Sequence, residues 1–213
     1  RMQVGAANLT WLVEDRPDLA QAALESFARA WWPHGYHREH YLAHMAQVSI
    51  HLYTGDVERA YEAACEFERR TRASLLWRIQ LWRLQALHAH GISALALVER
   101  GLGDRAKLLA LVSKDAAAIE RERRPWMQPF AELLRASVDA HQGQRERAVE
   151  RLKVAEGALL ERGLTGYAIA VRERRARLRH SASEIESAHA WFRSENVQRP
   201  DRLLAVLAPC FHE

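Results

Sequence analysis

The chain has 213 residues, 48% hydrophobic and 27% charged, a balance that excludes a disordered chain and supplies apolar side chains for a real core. Its 31 Lys and Arg, 28 of them Arg, exceed the 27 acids by a net charge of only +4, too small an excess to mark a nucleic-acid binder by charge alone. With 10 Gly, 6 Pro, few β-branched residues and abundant Ala, Leu, Arg and Glu, the composition favours helix throughout and leaves little from which to build a sheet.

Cys65 and Cys210 cannot make a disulfide scaffold and suit a reducing cytosol. No window approaches ~18 apolar residues free of charge, so no membrane span is expected. The chain opens at Arg1 with neither an initiator Met nor a signal peptide, which reads as a fragment of a longer cytoplasmic protein forming one domain over 1–213.

Apolar periodicity predicts helices over 17–31, 38–54, 57–70, 73–99, 104–123, 126–141, 145–162, 166–179, 182–194 and 200–207. Pro17 and Pro200 suit first-turn positions, Pro125 and Pro129 mark a helix entry, and Ser181 with Glu184 spells a capping box. Gly55, Gly103 and Gly143 each sit where a left-handed residue would end one helix, and Asp56 and Asp104 can cap the next. These are hairpin turns between antiparallel helices. Taking Ala20, Ala60, Ala106 and Ala148 as equivalent small positions gives steps of 40, 46 and 42 residues, the mark of a helical array. The steps exceed the ~34 residues of a regular tetratricopeptide repeat (TPR). The expected fold is therefore all-α, a TPR-like α-solenoid of about five antiparallel hairpins with degenerate repeats.

Read as one helix, 73–99 places Arg78 and Gln85 on one polar seam and Gln80 and Arg83 on another, with apolar faces between: Leu75, Ile79, Trp82 and Ala86 on one side, Leu76, Trp77, Leu81, Leu84, Leu87 and His88 on the other. Two apolar faces predict an inner helix with neighbours on both sides.

Two helices earlier, at the start of and along 38–54, His37, His40, His44, Gln47 and His51 are spaced 3, 4, 3 and 4 apart. They fall in a stripe about 80° wide on the helix surface. Three uses fit: nitrogen ligands for a metal, although no Cys or carboxylate shares the stripe; a hydrogen-bonded structural seam; or one wall of a binding groove with Tyr41 and Trp82. The expected partner surface is this stripe together with Arg78, Trp82 and Gln85. The seven tryptophans read mainly as gap-fillers between hairpins, with the Trp31-Trp32-Pro33 run as the exception, because adjacent residues point in different directions. The arginine clusters around Arg69, Arg123 and Arg174 lie near helix ends, where they pair with neighbouring acids and favour the negative helix pole. No phosphate-binding glycine loop, nucleophile elbow, kinase catalytic loop or supported Cys–His pair occurs, so neither catalysis nor a cofactor is expected of this segment.

The runs Trp32-Pro33-His34-Gly35-Tyr36-His37-Arg38-Glu39-His40-Tyr41, Ile50-His51-Leu52-Tyr53-Thr54-Gly55-Asp56, Ser74-Leu75-Leu76-Trp77-Arg78-Ile79-Gln80-Leu81 and Asn196-Val197-Gln198-Arg199-Pro200-Asp201-Arg202 with Leu207-Ala208-Pro209 resemble one bacterial group. It is the C-terminal helical-repeat region of large serine/threonine protein kinases, typical of myxobacteria, that carry a STAND-type ATPase between kinase and repeats. The resemblance implies a sensor or effector-binding arm that regulates signalling by taking a protein or peptide, or by docking on the parent protein's own kinase and ATPase domains. The alternatives are the repeat domain of a STAND-type transcription regulator and a His-rich metal-binding module. The ending after Pro200 reads as a true terminus, which favours the kinase.

Overall fold

The computed structural model describes residues 8–30 and 35–209, and these hold eleven α-helices and no strand. Trp31, Trp32, Pro33, His34 and Cys210 lie outside the described residues, and with them the Trp31-Trp32-Pro33 reading. Along the chain run α1 (Leu9–Val13), α2 (Pro17–Ala30), α3 (Arg38–Thr54), α4 (Val57–Arg72), a 3₁₀ turn (Leu75–Arg78), α5 (Gln80–Glu99), α6 (Arg105–Arg121), α7 (Gln128–His141), α8 (Arg145–Leu160), α9 (Thr165–Leu178), α10 (Ala182–Ser194) and α11 (Pro200–Leu207).

The turns follow their local chemistry. Gly55 takes φ 79° at the end of α3, and the Asp56 carboxylate then accepts the Arg59 N–H that opens α4, at 3.3 Å. Asp104 does the same for Lys107 N–H at 3.1 Å in α6. Where the last hairpins lack a turn glycine, His180 (φ 52°) and Asn196 (φ 62°) occupy the left-handed region instead. The expected capping box at α10 does not form: Ser181 is the N-cap residue but its side chain makes no cap bond, and Glu184 pairs with Arg179 at 3.2 Å.

Two expectations need correction. Ala106 is exposed, while Ala20, Ala60 and Ala148 are fully buried at the fourth position of their helices; the fourth position of α6 is the buried Leu108. The predicted helix 73–99 is broken at Ile79, whose extended backbone (φ −83°, ψ 113°) separates the 3₁₀ turn from α5. Ser74 caps the turn by accepting Leu76 N–H at 3.2 Å, and Arg83 donates to the Trp77 carbonyl at 2.6 Å, so the interrupted ladder is satisfied from side chains. The single-helix face count therefore fails ahead of residue 80: Leu75 and Ile79 reach solvent rather than a neighbour. Beyond it, every residue from Gly91 to Val98 is buried, as an inner helix requires.

Successive helices from α3 to α10 pack against one another, and α5 also touches both α3 and α7. Gly91 of α5 is where α7 comes close, since a Cβ there would meet Leu134 at 3.1 Å. The arginine clusters mostly pair as expected: Arg69 and Arg70 with Glu66, Arg72 with Glu68, and Arg172 and Arg175 with Glu156. Deeper in, fully buried Arg174 bonds Glu173 at 3.0 Å and the Ala208 carbonyl at 2.6 Å, tying α9 to the end of α11. Helix α11 turns back onto α3 and α9, so the two ends of the described chain meet. No helix of the described residues is long and apolar enough to cross a membrane.

Candidate functional site

The histidine stripe does not form one open wall. At the start of α3 the His37 N–H donates to His40 Nδ1 at 3.1 Å, which puts both rings to work at the helix entry. His44 turns toward α4: its Nδ1 donates to the His40 carbonyl at 2.8 Å and its ring stacks on Phe67 with planes 2° apart. Burial, only partly offset by the His40 bond, lowers the His44 pKa below the usual imidazole value, and burial does the same to His51. His44, Gln47 and His51 edge a shallow recess between α3 and α4 with Arg59, Glu62 and Glu66. Among the described residues no three His, Cys, Asp or Glu side chains are grouped so as to hold a metal ion.

The other three residues of the expected surface lie elsewhere. Tyr41, one helix face round from the stripe, stacks on Trp82 with ring centres 5.3 Å apart. Its hydroxyl lies 2.9 Å from Gln85 Oε1 and 3.1 Å from the Trp82 carbonyl, one proton serving both. This partly buried contact joins α3 to α5. Arg78 is exposed on the 3₁₀ turn, far from such packing. The eight residues thus divide into a helix cap, an α3–α4 seam, an α3–α5 contact and an exposed turn, because the spacing of each helix says nothing about which neighbour covers which face.

What the packing does build is a hollow of about 490 Å³ on the inner side of the odd-numbered helices. Met45, Val48 and Ser49 of α3, Gln85, His88 and Ile92 of α5, Phe130 of α7, Tyr167 of α9 and Val206 of α11 all reach it. Of the expected contact residues only Gln85 is on this wall. The rings of His88, Phe130 and Tyr167 form a row across α5, α7 and α9, each 5.0 Å from the next and set edge to face. The His88 Nε2 is buried with no hydrogen-bond partner, and burial pushes its pKa down to about 4, so the ring is neutral near pH 7. Burial alone raises the Tyr167 phenol, with no hydrogen bond entering. Arg162 is the charged side chain among the lining residues. In the sequence His88 fell on the apolar face of its helix, the one local sign that a polar atom would be enclosed there.

A second polar cluster also escaped the sequence, which shows no supported Cys–His spacing. His90 of α5 lies 2.8 Å from the buried Asp115 carboxylate of α6, with Tyr61 of α4 stacked on its ring at 5.8 Å and the Cys65 thiol within hydrogen-bonding reach. It pins three successive helices together.

No family model matches this chain, and neither a curated protein nor a solved structure does.

Proposed function

We propose that this chain is a TPR-like helical-repeat arm of a larger cytoplasmic signalling protein, of the serine/threonine kinase type with a STAND ATPase, and that it takes a protein partner or docks on its own catalytic domains. One observation carries the reading. At the break before α5, Leu75 is 73% exposed, Ile79 45% and Leu81 43%, with Arg78 beside them. Three large apolar side chains grouped in water within seven residues, where the other exposed ones, Leu102, Val154 and Leu160, lie on other helices and turns, support a protein-docking edge. Leu81 also lines the hollow, so this edge continues into the inner face of the stack.

The mechanism is a population shift. A partner that binds one packing of the arm more tightly than another changes the availability of the catalytic domains by that difference, typically about 1–3 kcal/mol. The test uses the full-length gene product, with its upstream part expressed separately and titrated with this chain by calorimetry. Binding should appear and should fall more than about tenfold when Leu75→Ser and Ile79→Ser are combined, with melting unchanged because both side chains already face water. Absence of binding by the unmodified chain, together with unaltered regulation of full-length protein carrying the two substitutions, would sink the reading.

A further inference from the structure

We infer that the hollow between α3, α5, α7, α9 and α11 is a binding site for a small amphipathic molecule: an aliphatic or aromatic body carrying one hydroxyl or carboxyl head. This goes beyond the docking-arm reading and does not depend on it.

Three features of the wall define the class. The volume of about 490 Å³ lies within the range of small-molecule sites and is too small for a folded segment. Most of the wall is apolar, from Met45, Val48, Ile92, Phe130 and Val206, and so selects a hydrocarbon body. Polar capacity is confined to a few atoms, among them the Nε2 of His88, buried without a hydrogen-bond partner, and the hydroxyl of Tyr167, at either end of the aromatic row.

An unpartnered polar atom in an apolar wall costs about 1–3 kcal/mol that a leucine at the same place would not. A bound head group that bonds the His88 Nε2 recovers that cost, and the Tyr167 hydroxyl offers it a second bond. The neutral imidazole and the phenol can each give or take one hydrogen bond, which suits a hydroxyl or a carboxyl oxygen. Arg162, the charged lining residue, favours an anion and disfavours a cation.

The experiment titrates the chain with 1-decanol, decanoate and decylamine by calorimetry, with displacement of anilinonaphthalene sulfonate fluorescence as a second readout. One molecule of decanol or decanoate should bind per chain, at least about tenfold more tightly than decylamine. Tyr167→Phe and His88→Phe should each weaken decanol and decanoate by about tenfold, the loss of one buried hydrogen bond, while far-ultraviolet circular dichroism stays the same. Ser49→Trp, which places a ring in the hollow, should abolish binding of all the probes. The inference is overturned if the unmodified chain binds neither decanol nor decanoate at millimolar concentration, or binds decylamine equally well. It is also overturned if a folded Ser49→Trp chain binds as before. Should Ser49→Trp fail to fold, the unmodified chain and Tyr167→Phe decide the matter.

Discussion

Arg202, in the last helix, donates to the Asp15 carboxylate at 3.1 Å across 187 residues of sequence. Tyr53 of α3 donates to the same carboxylate oxygen at 2.8 Å, and the Arg202 guanidinium lies over the Tyr53 ring at 5.8 Å. The Gln198 N–H bonds the Val13 carbonyl at 3.0 Å. Together these contacts hold α11 in place, and with it Val206, which lines the hollow.

Tyr53→Phe should therefore loosen the end of the chain more than its middle. The ion pair is partly in water and adds little, so the partly buried phenol bond dominates, at about 1 kcal/mol. Hydrogen exchange of α11 amides should quicken about fivefold while α5 amides keep their rate. Equal acceleration in both helices would mean that α11 opens only with the whole molecule.

Gly91 and Gly157 both lie inside helices but face different surroundings. A Cβ on Gly91 meets the Leu134 methyls at 3.1 Å, whereas one on Gly157 meets nothing within 4 Å. Gly91→Ala should destabilise by about 1–2 kcal/mol as α5 and α7 are pushed apart. Gly157→Ala should stabilise by about 0.5–1 kcal/mol through helix propensity alone. Opposite shifts in the thermal midpoint are the expected result.

The His90–Asp115 pair makes stability depend on pH. Burial pulls the His90 pKa down, but bonds to Asp115 and Cys65 outweigh it and raise the value from 6.5 to about 9. A raised histidine holds its stabilising proton fully below about pH 6.5 and loses it as pH climbs through about 9. Between pH 6 and 10 the native protein should lose on the order of 3 kcal/mol from this site. Asp115→Asn should be less stable at pH 6 and show a flatter decline. Parallel declines in the two proteins would show that the imidazole is not charged in the folded state.

Local chemistry was legible in the sequence. Gly55 with Asp56, and Asp104 ahead of α6, announced their turns because a left-handed residue and a capping carboxylate act within four residues. The break at Ile79 was hidden, since Ser74 can cap a turn or sit within a helix, and the bond from Arg83 to the Trp77 carbonyl that supports the break forms only once the chain has bent. The short α1 carried too few residues to show a period. Of the histidine stripe, His37 is the N-cap of α3 and the rest lie within it, but His44 stacks on Phe67 while Gln85 meets Tyr41, covers supplied by different helices.

The amino-acid sequence by itself determined an all-helical chain and where most of its helices begin and end, because periodicity, caps and turn residues act over a few positions. Only the tertiary structure decided that α11 returns to α3, that His88, Phe130 and Tyr167 line one hollow, and that His90 finds Asp115. Those relationships join residues many positions apart. They arise from how rigid helices settle against one another to bury their apolar faces, a sum over the whole chain that no local window contains.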